Sequence, residues 1–206
     1  MGKLVYGVGV NDADYVVQKF ENTGYADGKQ GRKLVWYCPF YYTWKGMLER
    51  CFSEGFKAKN PTYKDVTCCG EWLVFSKFKS WMEQQDWEGK ELDKDILISD
   101  NKLYSPETCA FVSSVTNTFV LASGASRGEY PVGVCWEKSR QKYRARCSNP
   151  LTKRLDCLGM FTTPEEAHEV WRKRKHELAQ LVAETEADSR VKEALKKRYS
   201  KEEWYK

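Results

Sequence analysis

The chain has 206 residues, room for one large domain or two small ones, with 14% aromatic and 31% charged residues. Its formal net charge is +5. No run approaches the ~18 apolar residues of a membrane helix, no apolar signal core opens the chain, and Tyr6 stands where myristoylation requires Ser or Thr, so a cytoplasmic location is expected.

Residues 1–40 carry Gly7, Gly9, Gly24, Gly28 and Gly31 with scattered aromatics. They read as an irregular N-terminal extension with one or two short strands. Gly7-x-Gly9 lacks the third glycine and the following apolar helix of a dinucleotide fingerprint. Over 41–53, Trp44, Met47, Leu48 and Cys51 recur at helical spacing. A loop follows to Gly70. A second helix is expected from about Glu71 to Trp87, with Trp72, Phe75, Phe78 and Met82 inward and Gly89 past its end.

Asp93 and Asp95 then stand one residue apart on an expected strand, Glu91–Leu97. Ser99–Lys102 turns the chain, a second run ends at Phe111-Val112, and a short helix is expected to carry Asn117. Asp and Asn are hard oxygen donors, suited to Mg²⁺ or Mn²⁺ rather than Zn²⁺. Residues 123–131 are small and polar and read as a linker. Three short strands follow, at Val132–Trp136, Lys142–Cys147 and Asp156–Phe161. Thr163-Pro164-Glu165-Glu166 starts a helix, with Thr as cap, Pro in the first turn and Glu at the third position. A last charged helix is expected over about 187–199.

Charge is unevenly spread. From residue 132 onward there are 18 Lys and Arg against 12 Asp and Glu. Within 132–154, Lys138, Arg140, Lys142, Arg144, Arg146, Lys153 and Arg154 face only Glu137. That local excess points to a polyanionic partner. In Lys142–Cys147 the even positions are basic and the odd ones apolar, so Lys142, Arg144 and Arg146 project from one face of a strand while Tyr143, Ala145 and Cys147 pack behind it. The eight cysteines include no C-x-x-C pair, which argues against a zinc ribbon and for reduced, mostly buried thiols.

Two resemblances follow from these residues. From about Tyr41 to Val120, Trp44-Lys45-Gly46-Met47-Leu48-Glu49-Arg50-Cys51, Glu71-Trp72-x-x-Phe75 and the strand–turn–strand–helix layout resemble phage-type HNH (ββα-metal) endonucleases, including freestanding homing endonucleases. The resemblance implies Asp93 and Asn117 as ligands of Mg²⁺ or Mn²⁺, and a catalytic set of Asp93, Lys94, Asp95 and Asn117. Lys94 stands where the family has its general-base His, and the motif's middle Asn would fall near Thr108. Three readings of Lys94 stay open: a base with a depressed pKa; a cation stabilising phosphorane charge while Asp95 or a metal-bound hydroxide is the base; or part of a site that binds without cutting. Neither His168 nor His176 lies near the hairpin in sequence.

Residues 132–183, through Gly133-Val134-x-Trp136, Tyr143-Arg144-Ala145, Leu158-Gly159-x-Phe161 and Thr163-x-Glu165-Glu166-Ala167, resemble an Apetala/ethylene-response-factor-type DNA-binding domain. The resemblance implies three antiparallel strands packed on one helix, and a two- or three-stranded ribbon can enter the major groove. Trp136, Lys138, Arg140, Lys142, Arg144, Arg146, Lys153 and Arg154 are the candidate DNA contacts. Trp136 is open between stacking on DNA and packing in the core.

The expectation is an α+β protein divided as 1–40, 41–122 (nuclease module), 123–131 (linker), 132–183 (DNA-binding domain) and 184–206 (charged helix). It would hydrolyse phosphodiesters in duplex DNA with Mg²⁺ or Mn²⁺, leaving 5′-phosphates. The competing expectation is a non-catalytic DNA-binding regulator with a degenerate hairpin.

Overall fold

The computed structural model describes residues 4–26, 29–120 and 129–200. Most of the expected linker, at 123–128, and the last residues of the chain, 201–206, lie outside them. The fold is α+β, built of helices and small sheets. It divides into two units, one joining Met1–Glu88 with Ile98–Phe111, the other joining Gly89–Leu97 with Val112–Lys206. Among the described residues no helix is long and apolar enough to cross a membrane.

The first unit begins with a hairpin longer than the glycine-rich sequence suggested. Strands β1 (Gln18–Ala26) and β2 (Lys29–Tyr37) pair antiparallel, with Lys19 opposite Trp36 and Asn22 opposite Arg32. Register shifts after Lys19 and Asn22 break the alternation that would have revealed these strands in sequence. Helix α1 (Pro39–Phe52) has Pro in its first turn and buries Tyr41, Trp44, Met47, Leu48 and Cys51, as their spacing predicts. Within the expected loop lie a short helix α2 (Glu54–Lys59) and a two-residue strand β3 (Thr67–Cys68).

The expected helix over 71–87 is broken. A 3₁₀ turn covers Gly70–Leu73, Val74 is extended, and helix α3 runs only from Phe75 to Met82. The cause lies 64 residues upstream. Val10 N–H donates to Leu73 O, and Val10 O accepts from Phe75 N–H, so backbone groups that a continuous helix would use internally are taken by another segment. Asp12 then caps α3, accepting from Ser76 N–H at 2.9 Å. Gly9 lets this segment come close, because a Cβ there would lie 2.4 Å from Leu48 Cδ1 and 3.0 Å from the Trp44 ring. Gly9 therefore serves packing, whereas Gly7, with φ +80° and open space around it, serves the turn. The core is aromatic: Trp44 Nε1 donates to Trp72 O at 2.7 Å, and Phe75 meets both Tyr41 and Trp44.

The expected second strand of the hairpin is divided between two partners. Strand β4 covers Glu91–Asp93, β5 covers Leu103–Tyr104 and β6 covers Ala110–Val112. β5 pairs parallel with β3, whereas β6 pairs with β4. Helix α4 (Ser114–Val120) follows β6 directly.

The second unit holds a three-stranded antiparallel sheet in the order β7 (Val134–Glu137), β8 (Lys142–Asn149), β9 (Arg154–Phe161). Helix α5 (Pro164–Ala183) packs on it. Its start carries the expected capping box: Thr163 accepts from Glu166 N–H, and Glu166 accepts from Thr163 N–H. Ala145, Cys147, Ala167, Trp171 and Leu178 are buried. A Cβ on Gly133 would fall 2.0 Å from Trp171 Cδ1, and Gly133 has φ +82°, so both space and backbone require glycine there. Helix α6 (Ser189–Lys197), capped by Asp188, packs against α5.

Candidate functional site

Asp93 ends β4 because its own side chain bends the chain. Its Oδ1 accepts from the N–H groups of Asp95, at 2.8 Å, and Ile96, at 2.6 Å. This turn stops the expected strand at Asp93 and leaves one carboxylate oxygen for other work. Burial pushes the Asp93 carboxyl above the usual range, although the two N–H donors pull it down. Lys94 is buried at 6% exposure, and its Nζ donates to both oxygens of Asp95 at 2.7 Å.

Asn117 on α4 meets β4 at Glu91, its Nδ2 donating to Glu91 Oε2. Glu91 lies two residues before Asp93, so the two carboxylates project to the same side of the strand. The structure thus brings Asn117 to the acidic edge of β4 through Glu91. Sequence reasoning did not single out Glu91; the i, i+2 spacing to Asp93 was the signal that could have found it. Among the described residues no three of His, Cys, Asp and Glu are grouped so as to hold a metal ion. His168 and His176 lie on α5 and bond the backbone carbonyls of Val132 and Arg198.

Helix α4 is held at both ends by later parts of the same unit. Near its start, the buried Glu186 carboxylate accepts from the hydroxyls of Thr116 and Ser113. Near its end, Lys175 on α5 donates to Phe119 O at 2.7 Å and lies 3.5 Å from the Phe119 ring centroid. Burial lowers the Lys175 pKa to about 8. The α5–α6 region therefore fixes the helix that carries Asn117.

On the sheet, β8 alternates as its sequence predicts. Ala145 and Cys147 are buried toward α5, whereas Lys142 is exposed on the other face. The basic residues fall into two classes. Lys138, Arg140 and Lys142, at the β7–β8 turn, and Lys153 and Arg154, at the β8–β9 turn, are exposed. The two turns mark opposite ends of β8, about 25 Å apart. Between them Arg144 and Arg146 are half-buried and engaged. Arg144 pairs with Glu137 at 3.0 Å, and Arg146 Nη2 lies 3.5 Å from Cys135 Sγ. The Ser139 hydroxyl and the Arg144 guanidinium hold the Glu137 carboxyl below its usual range. Trp136 stands opposite Tyr143, their ring centroids 4.8 Å apart, and Tyr143 stands opposite Phe161. By register, Trp136 shares the helix-facing side with these rings, away from Lys142 and Arg144.

No protein-family model matches the chain, and neither a curated protein nor a solved structure is significantly similar to it.

Proposed function

We propose that this protein is a metal-dependent endonuclease acting on duplex DNA, with β4, β6 and α4 as the hydrolytic element and the β7–β9 sheet holding the duplex. The observation that carries the reading is the Asn117–Glu91 contact, which joins helix to strand at an acidic edge within a paired-strand-and-helix unit. Glu91, Asp93 and Asn117 offer hard oxygen donors. Mg²⁺ commonly takes one or two carboxylates and completes its shell with water and substrate phosphate, so a small donor set of this kind fits it. When bound, such a cation polarises the phosphodiester and favours water as nucleophile.

The roles of the chain's own residues follow. Glu91, Asp93 and Asn117 would hold the cation. Lys94, bonded through its ammonium to both oxygens of Asp95, serves as a cation beside the developing phosphorane charge. Asp95 takes the proton from the attacking water. This arrangement favours the second of the three readings of Lys94. Exposed cations at the two turns of the sheet neutralise phosphates and give affinity without regard to sequence.

Incubating supercoiled plasmid with the chain in Mg²⁺, Mn²⁺ or EDTA tests this. Cutting should need the metal, and Asp93→Ala should abolish it while duplex affinity stays nearly intact. Lys94→His, with an imidazole titrating near neutrality, should match or exceed the parent if this position is instead the base. The second reading is a non-catalytic DNA-binding protein. It is favoured by the use of Asp93 Oδ1 and Lys94 within their own bend. A parent chain that binds duplex yet leaves plasmid intact in both metals would select it.

A further inference from the structure

A two-stranded ribbon ordinarily needs a core to lie on; the β1–β2 hairpin meets helix α1 at its base, Tyr37 against Tyr42. Among its described residues in Gln18–Gly24 and Gly31–Tyr37, none is buried. Phe20 is 49% exposed and Trp36 42%. Each face nevertheless carries an aromatic ring with a cation over it. Lys19 Nζ lies 5.5 Å from the Trp36 ring centroid on one face, and the Arg32 guanidinium lies 5.7 Å from the Phe20 ring on the other. Lys33 shares the first face, opposite Glu21.

We propose that this ribbon is a second duplex-DNA contact, lying in a groove with cations toward both phosphate walls. The inference rests on the DNA reading of the chain and extends it to a segment that the reading did not use. Four observations support it. Nine residues per strand span about 30 Å, close to the ~34 Å of one duplex turn. A two-stranded ribbon fits the ~12 Å major groove. A protein partner would cover one face of a sheet, whereas here both faces carry the same aromatic-plus-cation set, and groove walls flank a ribbon on both sides. Charge complements a polyanion: Lys19, Arg32 and Lys33 outweigh Glu21. The paired rings hold the long cationic side chains extended before contact.

The test measures binding of the full chain to a labelled duplex of about 40 base pairs by fluorescence anisotropy across a salt series. The variants are Lys19→Ala/Arg32→Ala/Lys33→Ala, the same triple with Gln, which keeps part of the aliphatic stem and a polar end without the charge, and Phe20→Ala/Trp36→Ala. Circular dichroism checks folding. Either triple variant should bind about tenfold or more weakly, with the slope of log K against log[salt] shallower by about two to three, one ~0.9 increment per lost phosphate contact. The aromatic double variant should weaken binding with the salt slope unchanged. Parent-like affinity and slope in a folded triple variant, while the parent binds duplex, overturns the ribbon contact and leaves the sheet reading standing. Failure of the parent to bind duplex overturns both. A parent that dimerises in sedimentation, with dissociation following the ribbon substitutions and duplex affinity unmoved, assigns the ribbon to a contact between copies and likewise overturns the proposal.

Discussion

Asp93 bends the chain with one carboxylate oxygen and, on the proposed reading, would hold the metal with the other; substitutions separate the two. Asn at this position keeps an oxygen to accept from the Asp95 and Ile96 N–H groups, so Asp93→Asn should melt near the parent. Asp93→Ala leaves both donors bare and should cost about 1–2 kcal/mol in urea unfolding. Both variants should fail to cut plasmid, since neither supplies the carboxylate charge. A fully active Asp93→Asn would move the metal to Glu91 and Asn117 alone. Gly133 is the other residue whose identity is dictated by one contact. Gly133→Ala pushes a methyl into Trp171 and forces a side chain onto a left-handed backbone. A loss of about 3 kcal/mol or more is expected in thermal unfolding. A parent-like melting temperature would mean that Trp171 can move aside.

Helix α4 depends on groups far away in sequence. Glu186→Ala removes the acceptor of the Thr116 hydroxyl, while Ser113 keeps its bonds to Thr116, and should cost about 1–2 kcal/mol, with Glu186→Gln intermediate; urea denaturation reads both. Lys175 makes the clamp pH-dependent. Its folded pKa of about 8 lies below the ordinary 10.5, so above pH 8 the folded chain releases a proton that the unfolded chain still holds. Relative to Lys175→Met, stability should therefore rise between about pH 8 and pH 10.5, by at most about 1.4 kcal/mol per pH unit. Burial raises the neighbouring Cys147 thiol, so the unfolded chain ionises it first and stability falls as pH rises past its ordinary 9.0. Comparing the two forms in a Cys147→Ala background isolates the Lys175 effect, and a flat difference across this range would contradict it. The elements that were legible in sequence are those whose determinants are local: the Thr163–Glu166 box of α5, the alternation of β8, the apolar stripe of α1. Those that were not legible were decided from a distance. Val10 interrupts 71–87 and β3 draws β5 out of the hairpin; the exception is the Asp93 side chain, which curls what the Asp-x-Asp pattern read as strand by bonding the backbone two and three residues on. For the candidate site, Asp93 and Asn117 were visible as residue types, but Glu91, which Asn117 touches, was not.

Across the whole molecule, affinity for duplex should track the exposed cations more than the engaged ones. Replacing Lys138, Arg140, Lys153 and Arg154 by Ala should weaken binding more than replacing Arg144 and Arg146, which already answer to Glu137 and Cys135. If all four turn cations touch phosphates, the salt slope should flatten by about three to four; equal losses from the two sets would place the duplex against the centre of the sheet instead. The division of the chain into interleaved stretches has a further consequence, in time rather than space. β4 and its bend belong with segments made much later: Asn117 to Glu91, Glu186 to Thr116, and Arg198, whose guanidinium reaches Asp95 O from 103 residues further on. At about 5–20 residues per second, a ribosome would hold Asp95 for roughly 5–20 s before its last partner exists. The sheet and α5 can close first. A chain still being made, or released early by a stop before α6, would thus complete the β7–β9 sheet before the bend after β4 gained its last contact.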